Sequence, residues 1–171
     1  VTLRDQLLPY CDDTLIKERV LELKTTNPIY RPVIQGSCPL IEAHPALAQS
    51  LSFIRLGSFP TPIKHLETLS RTTGHSIFIK DDGVSGAHVD GTKLYGGNKV
   101  RKLEFLLADA RARGAKEVFT FGAAGSNHAL ATSIYAQQLG FRTSCLLLPQ
   151  HNSRNVRANL LAHAAYGSTL R

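Results

Sequence analysis

Apolar residues recur at helical spacing in several segments of the chain. In TLIKERVLEL (14–23), directly after two aspartates, the apolar residues fall on one face and predict an N-terminal helix. Residues 27–45 contain four prolines and are predicted to form an extended, irregular arm. The segment PTPIKHLETLSRTTG (60–74) is predicted to form a helix that opens at Pro62 and closes at Gly74. Its apolar positions, predicted to be buried, are Ile63, Leu66 and Leu69.

Beyond residue 75, short β-prone runs alternate with helical patterns. The predicted strands are SIFIK (76–80), EVFTF (117–121) and RTSCLLL (142–148), and STLR (168–171) is predicted to begin another. The predicted helices run from Asn98 to about Arg113, over 128–140 and over 153–167, with core positions at Val100, Leu103, Leu107, Ala110, Val156, Leu160, Leu161 and Ala164. Strands that alternate with helices form βαβ units, so the sequence predicts an α/β fold with a parallel sheet.

The loop GAAGSNH (122–128) joins a predicted strand to a predicted helix. Ligands on parallel sheets bind at such loops, beyond the C-terminal ends of the strands. Small residues allow close backbone approach, and a helix N-terminus with Ser126 and Asn127 at its cap favours an anion. Ordinary caps and turns would give the same pattern, and the motifs GxGxxG, Gly-Lys-Ser/Thr and GxSxG are absent from this loop. From the residues alone, His128 is either a base or a cap or surface residue of the first turn.

A second strand-to-helix loop, 81–98, leads into a helix whose first turn carries the cations Lys99, Arg101 and Lys102. The helix macrodipole makes positive charge unfavourable at this end. Gly96 and Gly97 permit a tight turn and the approach of a planar ligand, and Asn98 is predicted to cap the helix. The dipole and the neighbouring cations favour the neutral amine form of Lys99, which is the nucleophilic form. Solvated surface cations are the alternative explanation of this pattern.

The composition is that of a soluble globular protein, with 43% hydrophobic and 19% charged residues. No apolar run approaches the roughly 20 residues of a membrane span, and Arg4, Asp5 and Gln6 interrupt any signal-peptide core. The net charge of +7 comes from basic residues spread along the chain without a dense block. This spread disfavours a nucleic-acid site, although a cofactor-free basic domain that binds nucleic acid or a protein remains an alternative class.

The three cysteines, Cys11, Cys38 and Cys145, are an odd number without metal-ligand spacing. No metal site is therefore predicted, and a reduced, cytoplasmic chain is expected. The chain contains no methionine and starts at Val1, which predicts a piece of a longer protein or a chain with its start removed.

Two elements together carry a resemblance to known enzymes. GGNKVRKLEFLLADA (96–110) followed by TFGAAGSNHALATSIYAQQLGF (120–141) is similar to the pyridoxal-phosphate enzymes of fold type II, the tryptophan synthase β-like group. Within that group the chain most resembles the D-cysteine desulfhydrase and 1-aminocyclopropane-1-carboxylate deaminase family. The likeness includes LGSFPTPIKHLETLS, SIFIKDD and the LLLP strand end, so it covers about residues 56–150. It implies a three-layer αβα fold with a parallel sheet, truncated in this chain.

The resemblance implies a role for individual residues. Lys99 matches the lysine that binds pyridoxal 5′-phosphate covalently and later acts as the catalytic base at the substrate Cα. Asn98 matches a residue beside the cofactor, and Asn127 matches the asparagine that hydrogen-bonds the cofactor 3-hydroxyl. Ser126, Asn127 and His128 match the loop that takes the substrate α-carboxylate, and Ser126 is also expected to be catalytic.

The implied reaction is β-elimination or ring-opening deamination of a small amino acid to a keto acid and ammonia. The resemblance also implies a homodimer, with no nucleic-acid or membrane partner. His128 is the desulfhydrase-like residue where deaminases of the group resemble glutamine, which favours β-elimination. β-Replacement and serine or threonine dehydration are the alternatives within the group.

The chain departs from the family pattern in its loop and in its length. The loop over 82–96 is longer than usual, and the N-terminal arm is an addition. The glycine-rich phosphate cup, the partner of the pyridine nitrogen and a catalytic tyrosine have no match in 151–171, and Tyr166 does not take the tyrosine's role. This fragment is therefore predicted to hold the cofactor weakly and to turn over little.

The resemblance also implies a division of the chain into domains. The implied division is an N-terminal helix and arm over 1–55, the lysine-bearing part of the large cofactor domain over 56–113, and an incomplete small βα domain over 114–171, with the C-terminal half of the large domain absent.

Overall fold

The N-terminal arm contains short helices where the structure describes it. The computed structural model describes residues 37–86, 88–89 and 92–171, so the helix predicted over 14–23 and Cys11 lie outside the described residues. Helix α1 spans Pro39–Ala43, and a 3₁₀ helix spans Pro45–Gln49. The prediction of an extended chain up to residue 45 is therefore wrong at these turns. A proline at the first helical position is favourable because its missing N–H would have no partner there.

The predicted alternation of strands and helices is confirmed in the part of the chain that the structure describes. The later helices are α2 (Glu67–Thr73), α3 (Lys99–Ala112), α4 (Asn127–Gln138) and α5 (Arg154–Ala165). The strands are β1 (Ile63–His65), β2 (Phe78–Lys80), β3 (His88–Val89), β4 (Thr92–Lys93), β5 (Glu117–Ala123), β6 (Arg142–Leu148) and β7 (Thr169–Leu170). The predicted helix end at Gly74 is confirmed by its left-handed backbone, with a φ of 71°.

The helix predicted over 60–74 is wrong in its first half. Strand β1 occupies that half and pairs antiparallel with β2. The N–H of Leu66 donates to the carbonyl oxygen of Ile77 at 2.9 Å, so the chain enters α2 only after this contact. Ile63 and Leu69 are exposed rather than buried, whereas Leu66 is half-buried. Pairing with a distant strand has therefore overridden the helical spacing of these apolar residues.

Strands β5, β6 and β7 form a parallel sheet in that order, as the sequence predicts. Helices α4 and α5 lie against one face, where Thr120, Cys145 and Leu147 are buried. The opposite face exposes the large apolar side chains of Phe119, Phe121, Leu146 and Leu148. The antiparallel pairs β1–β2 and β3–β4 lie outside this sheet. None of the described helices is long and apolar enough to span a bilayer.

Helices α3 and α4 share one hydrophobic core. Its buried members include the predicted Val100, Leu103 and Leu107 of α3, together with Leu56, Leu130, Ile134 and Tyr135. The hydroxyl of Tyr135 also donates to the main-chain carbonyl of Tyr95 at 2.7 Å. This bond ties α4 to the loop that precedes α3, so the core fixes the two glycine-rich loops relative to each other.

The buried face of helix α5 differs from the predicted one. Val156 is buried as predicted, whereas Leu160, Leu161 and Ala164 are only partly buried. His163 and Ala165, which the apolar pattern did not select, are buried instead. The core face of this helix therefore includes a histidine.

Candidate active site

The turn before α3 is held by Ser85 and Asp82. Gly97 has a φ of 114°, which side chains rarely allow. Its N–H donates to the carbonyl of Asp82 at 2.8 Å and to Oγ of Ser85 at 2.9 Å, and the Ser85 hydroxyl donates to the Gly97 carbonyl at 3.0 Å. A Cβ on Gly96 would collide with the backbone carbonyl of Gly83. The predicted tight turn is confirmed, and both glycines are needed for it.

Asn98 and Lys99 follow this turn at the start of α3. Asn98 lies at the N-cap position, but its side chain makes no capping hydrogen bond, so the predicted cap is wrong. The reason is local, because Asn98 already has the helical angles φ −63° and ψ −16°, whereas capping side chains act from an extended backbone. Asn98 is exposed, and Lys99 is half-buried as the first helical residue. The expected place of Asn98 beside the cofactor stays a prediction.

Arg101 is paired with a carboxylate, although its side chain remains partly exposed. Its Nε and Nη2 atoms donate to the two carboxylate oxygens of Asp82 at 3.0 and 2.8 Å. The hydrogen bonds from Arg101, followed by that from Thr61, hold the pKa of Asp82 at about 2. The charge of Arg101 is therefore offset by a carboxylate, which the local sequence around the cations did not suggest.

Ser126 caps helix α4 as predicted. Its backbone is extended, with φ −64° and ψ 115°, and its Oγ accepts a hydrogen bond from the N–H of Ala129 at 3.2 Å. The other N–H groups at the start of a helix have no partner four residues earlier, so they are available to an anion. The predicted cap is therefore confirmed, and the anion site at the first turn of α4 stays a prediction.

The loop before α4 is fixed by two residues that the motifs did not select. The N–H of Gly125 donates to Oε1 of Gln150 at 2.9 Å. The Nδ2 of Asn159, on α5, donates to the carbonyl of Gly125 at 2.9 Å and to Oδ1 of Asn127 at 3.4 Å. Asn127 is exposed, and Asn159 restrains the orientation of its amide.

His128 lies in the first turn of α4. Its Nδ1 is buried and has no hydrogen-bond partner among the described residues. Burial lowers the pKa of His128, and the positive charges of Lys102 and Lys99 lower it further. Helices α3 and α4 pack against each other through a shared hydrophobic core. The helices that follow the two sequence motifs, which are separated along the chain, are therefore neighbours in the fold.

The structure places Lys99 at the start of α3 and Ser126, Asn127 and His128 at the start of α4, and these two helices pack against each other. Lys99 is half-buried and Asn98 is exposed, and the roles expected for these residues stay predictions. The sequence reasoning missed Asp82, Ser85, Gln150 and Asn159, which hold the two loops in place. The polar residues before Gly96 were a signal for Asp82 and Ser85, but no local pattern identified Gln150 or Asn159.

Comparison with known proteins identifies the class of this site. The family model described as pyridoxal-phosphate dependent enzyme matches residues 54–171. The chain belongs to this family of enzymes. The family's cofactor is pyridoxal phosphate, as the motifs predicted, and the match includes both glycine-rich loops.

Three relatives illustrate the range within the family. D-cysteine desulfhydrase of Klebsiella pneumoniae subsp. pneumoniae is 47% identical over 52% of this chain and 25% of its own length. Nocardicin C-9′ epimerase of Nocardia uniformis subsp. tsuyamanensis is 47% identical over 47% of this chain and 25% of its own. A crystal structure described as an ACC deaminase homologue has a TM-score of 0.63 and 36% identity, over 74% of this chain and 36% of that one. The chain therefore spans only a quarter to about a third of these relatives.

These comparisons confirm the predicted fold class, a parallel-sheet αβα fold of the tryptophan synthase β-like kind. The described residues also fit the cofactor chemically. Lys99 supplies a half-buried primary amine at the end of a fixed turn, and His128 presents a buried ring nitrogen with no partner in the described part of the chain. The start of α4 supplies N–H groups suited to a carboxylate or phosphate. A carbonyl-bearing anionic cofactor and an amino-acid substrate both match this set of groups.

Proposed function

We propose that the chain supplies the lysine-bearing part of an enzyme that converts a small amino acid to a keto acid and ammonia. In this proposal Lys99 binds pyridoxal phosphate, and the first turn of α4 binds the substrate carboxylate. The observation that carries it is the packing of α3, which begins at Lys99, against α4, which begins after the Ser126 cap. The pKa of His128, lowered by burial and then by the charges of Lys102 and Lys99, agrees with this placement. Family membership supports the cofactor, and the convergence of charge supports the placement of the substrate.

Lys99 would perform two tasks. It would hold the cofactor through a covalent bond to its amine, and after the substrate amine takes its place it would remove the proton from the substrate Cα. Pyridoxal phosphate, when bound, supplies an electron sink that stabilises negative charge at Cα. The fixed turn at Gly97 limits the positions that the Lys99 amine can reach. Asn98 would lie beside the cofactor, and Asn127 would hydrogen-bond its 3-hydroxyl.

The substrate carboxylate would bind where Ser126, Asn127 and His128 begin α4. The N–H groups of the first turn favour an anion, and the nearby charges of Lys99 and Lys102 add to that field. The lowered pKa of His128 favours its neutral imidazole, and its Nδ1, which has no partner in the described part of the chain, is available to a ligand. Ser126 would contribute its hydroxyl to the substrate while it caps the helix.

The substrate class follows from what the relatives are named for. D-cysteine desulfhydrase and an ACC deaminase homologue point to loss of a β-thiol or opening of a small ring. His128 favours the desulfhydrase-like β-elimination. β-Replacement and dehydration of serine or threonine are the other reactions compatible with the same lysine.

Epimerisation is a second candidate, because nocardicin C-9′ epimerase is as similar in identity as the desulfhydrase. An epimerase would use the same removal of the Cα proton, but the proton would return to the opposite face and no group would leave. Solvent deuterium at Cα without release of ammonia would favour this reading over a lyase.

The remaining assignments are proposals for the longer protein. We propose a cytoplasmic homodimer, and the free, buried thiols of Cys38 and Cys145 support a reducing compartment. The division into an arm over 1–55, a cofactor-domain part over 56–113 and a small domain over 114–171 also stays a prediction. The family match begins at residue 54, close to the first of these boundaries.

Borohydride trapping tests the role of Lys99. The longest chain that the gene encodes is mixed with pyridoxal phosphate, reduced and digested, and the adduct is mapped by mass. We expect a pyridoxyl group on Lys99 in the wild type and in Lys102→Ala, and none at this position in Lys99→Arg. An unmodified Lys99 in the wild type would refute the proposal, and salt-sensitive polyanion binding would then test the cofactor-free alternative.

Product analysis tests the reaction. The enzyme that forms the adduct on Lys99 is incubated, without borohydride, with D-cysteine, 1-aminocyclopropane-1-carboxylate, serine and threonine in separate reactions. Keto acid and ammonia from the first or second substrate support the proposed lyase or deaminase. Keto acid from serine or threonine alone would identify a dehydratase instead.

A further inference from the structure

Asp82 contacts the chain on both sides of Lys99. Its main-chain carbonyl accepts a hydrogen bond from the N–H of Gly97 at 2.8 Å. Its carboxylate accepts two hydrogen bonds from the guanidinium of Arg101, at 3.0 and 2.8 Å. Gly97 lies just before Lys99 in sequence and Arg101 just after it. One residue of a separate loop therefore holds both flanks of the lysine.

The guanidinium of Arg101 is held from further directions. The hydroxyl oxygen of Thr61 accepts a hydrogen bond from Nη2 at 3.0 Å and donates its own to Oδ1 of Asp82 at 2.6 Å. The ring of Phe59 faces the guanidinium at 4.2 Å from its centroid. A planar guanidinium that is hydrogen-bonded at two of its nitrogens and stacked on a ring has a defined orientation, which a lysine ammonium could not reproduce.

The Arg101–Asp82 pair remains partly accessible to solvent. The side chains of Arg101 and Asp82 are 40% and 22% exposed, and solvent screening generally limits what such an ion pair adds to the stability of a whole fold. The pKa of Asp82, lowered to about 2, keeps its carboxylate charged throughout the neutral range, so the contact with Arg101 persists over that range. Its effect is the local orientation of the first turn of α3.

We infer that Asp82 is a positioning residue for Lys99, fixing the start of α3 through Gly97 on one side and Arg101 on the other. This inference rests on the proposed function of Lys99. The carboxylate also offsets a cation at a helix N-terminus, where the macrodipole makes positive charge unfavourable. Arg101 can therefore occupy the first turn as an anchor while Lys99 remains available to a ligand.

The test compares Asp82→Asn with Asp81→Asn in the longest encoded chain. Asp82→Asn replaces one carboxylate oxygen with an NH₂ group, so the guanidinium of Arg101 loses one of its two acceptors. Asp81 is a matched control because it carries an exposed ion pair with Lys64, at 2.6 Å, one residue away. The first readout is amide hydrogen exchange in peptides that cover 94–103, measured without cofactor. The second is the fraction of Lys99 that borohydride traps at limiting pyridoxal phosphate.

We expect Asp82→Asn to exchange about tenfold faster in this segment and to trap about fivefold less cofactor, because the turn opens more often. Arg101→Lys should change both readouts in the same direction, whereas Asp81→Asn should stay within about twofold of the wild type. Wild-type exchange and trapping in both Asp82→Asn and Arg101→Lys would overturn the inference. A uniform rise of exchange along the whole chain would also overturn it, because it would show a general loss of stability.

The two hypotheses fail in different ways. If the wild type shows no adduct on Lys99, the proposed function fails, while the exchange measurement still decides whether Asp82 holds the turn. If Asp82→Asn does not fold, Arg101→Lys, which keeps the positive charge, tests the inference instead. The same two measurements are used, hydrogen exchange over 94–103 and borohydride trapping of Lys99.

Discussion

One carboxylate oxygen of Glu104 accepts hydrogen bonds from two consecutive main-chain N–H groups, those of Leu56 at 2.9 Å and of Gly57 at 3.2 Å. Glu104 is buried on α3, and Nη1 of Arg55 lies 3.7 Å from the same carboxylate oxygen. Burial raises the pKa of Glu104, although these backbone bonds and Arg55 oppose that shift. This carboxylate therefore joins α3 to the segment that precedes β1.

Removal of the Glu104 carboxylate should destabilise the fold. Glu104→Ala leaves two buried N–H groups without an acceptor, which we expect to lower the free energy of unfolding by about 2–4 kcal/mol. Glu104→Gln retains an acceptor oxygen and should cost about 1 kcal/mol. Urea denaturation measures both, with Glu42→Ala as an exposed control that should change stability by no more than about 0.5 kcal/mol. Equal stability of the wild type and Glu104→Ala would show that the backbone groups find other partners.

The sequence predicted elements that are stabilised by their own repeating pattern. Helix α3 carries apolar residues at core spacing, α4 is buried over most of its length, and β5 and β6 are short runs of largely apolar residues, so the local pattern is sufficient to locate them. Strand β1 is only three residues long and forms because it pairs with β2. Such pairing depends on residues distant in sequence, which explains why a helix was predicted there.

The same distinction applies to the candidate site. Lys99 and Ser126 could be selected because each follows a glycine-rich turn at a predicted helix start. The pairing of Asp82 with Arg101 could not, because the two residues are nineteen positions apart and their contact depends on how the loop folds over α3. Asn159 acts from the next βα unit, so its contact requires knowledge of helix packing.

A buried histidine should make the fold sensitive to acid. His163 is fully buried; its Nδ1 lies 2.9 Å from Oγ of Ser133, and its Nε2 has no partner in the described part of the chain. Burial lowers the pKa of His163 from 6.5 to about 4. The unfolded chain thus takes up a proton at a higher pH than the native state. Stability from this group is complete above pH 6.5 and is lost as the pH falls toward 4, by about 3 kcal/mol.

Urea denaturation at several pH values between 7 and 4 tests this expectation. His163→Gln should be less stable at pH 7 but should lose less stability than the wild type on acidification. His75→Gln replaces an exposed histidine and should keep the wild-type slope. Parallel pH profiles for the wild type and His163→Gln would show that His163 does not cause the acid sensitivity.

Asn159 should influence the cofactor without touching it. Its amide restrains the carbonyl of Gly125 and the side chain of Asn127, so Asn159→Ala frees the residue proposed to bind the cofactor 3-hydroxyl. We expect the affinity of the longest encoded chain for pyridoxal phosphate to fall about five- to tenfold, the equivalent of one lost hydrogen bond. Equilibrium titration measures it. Asn155→Ala, an exposed change on the same helix, should bind normally, and normal binding by Asn159→Ala as well would remove Asn127 from the proposed site.

Comparison of Ser126 with Ser153 distinguishes the structural role of a helix cap from a role in the candidate site. Each side-chain oxygen accepts a hydrogen bond from the N–H three residues later, at 3.2 Å, at the start of α4 and of α5 respectively. Alanine at either position should therefore cost about 1 kcal/mol of stability. Only Ser126 begins the helix turn that is proposed to bind the substrate carboxylate, so only Ser126→Ala should also impair catalysis.

Steady-state kinetics with the substrate identified by product analysis distinguishes the two serines. We expect Ser126→Ala to raise KM or lower kcat/KM about tenfold, because the substrate loses one hydrogen bond to a charged group. Ser153→Ala, with the same loss of stability, should leave both constants within about twofold of the wild type. If the two variants are equally active, the Ser126 hydroxyl acts only as a cap, and the carboxylate is bound by the backbone N–H groups of α4 alone.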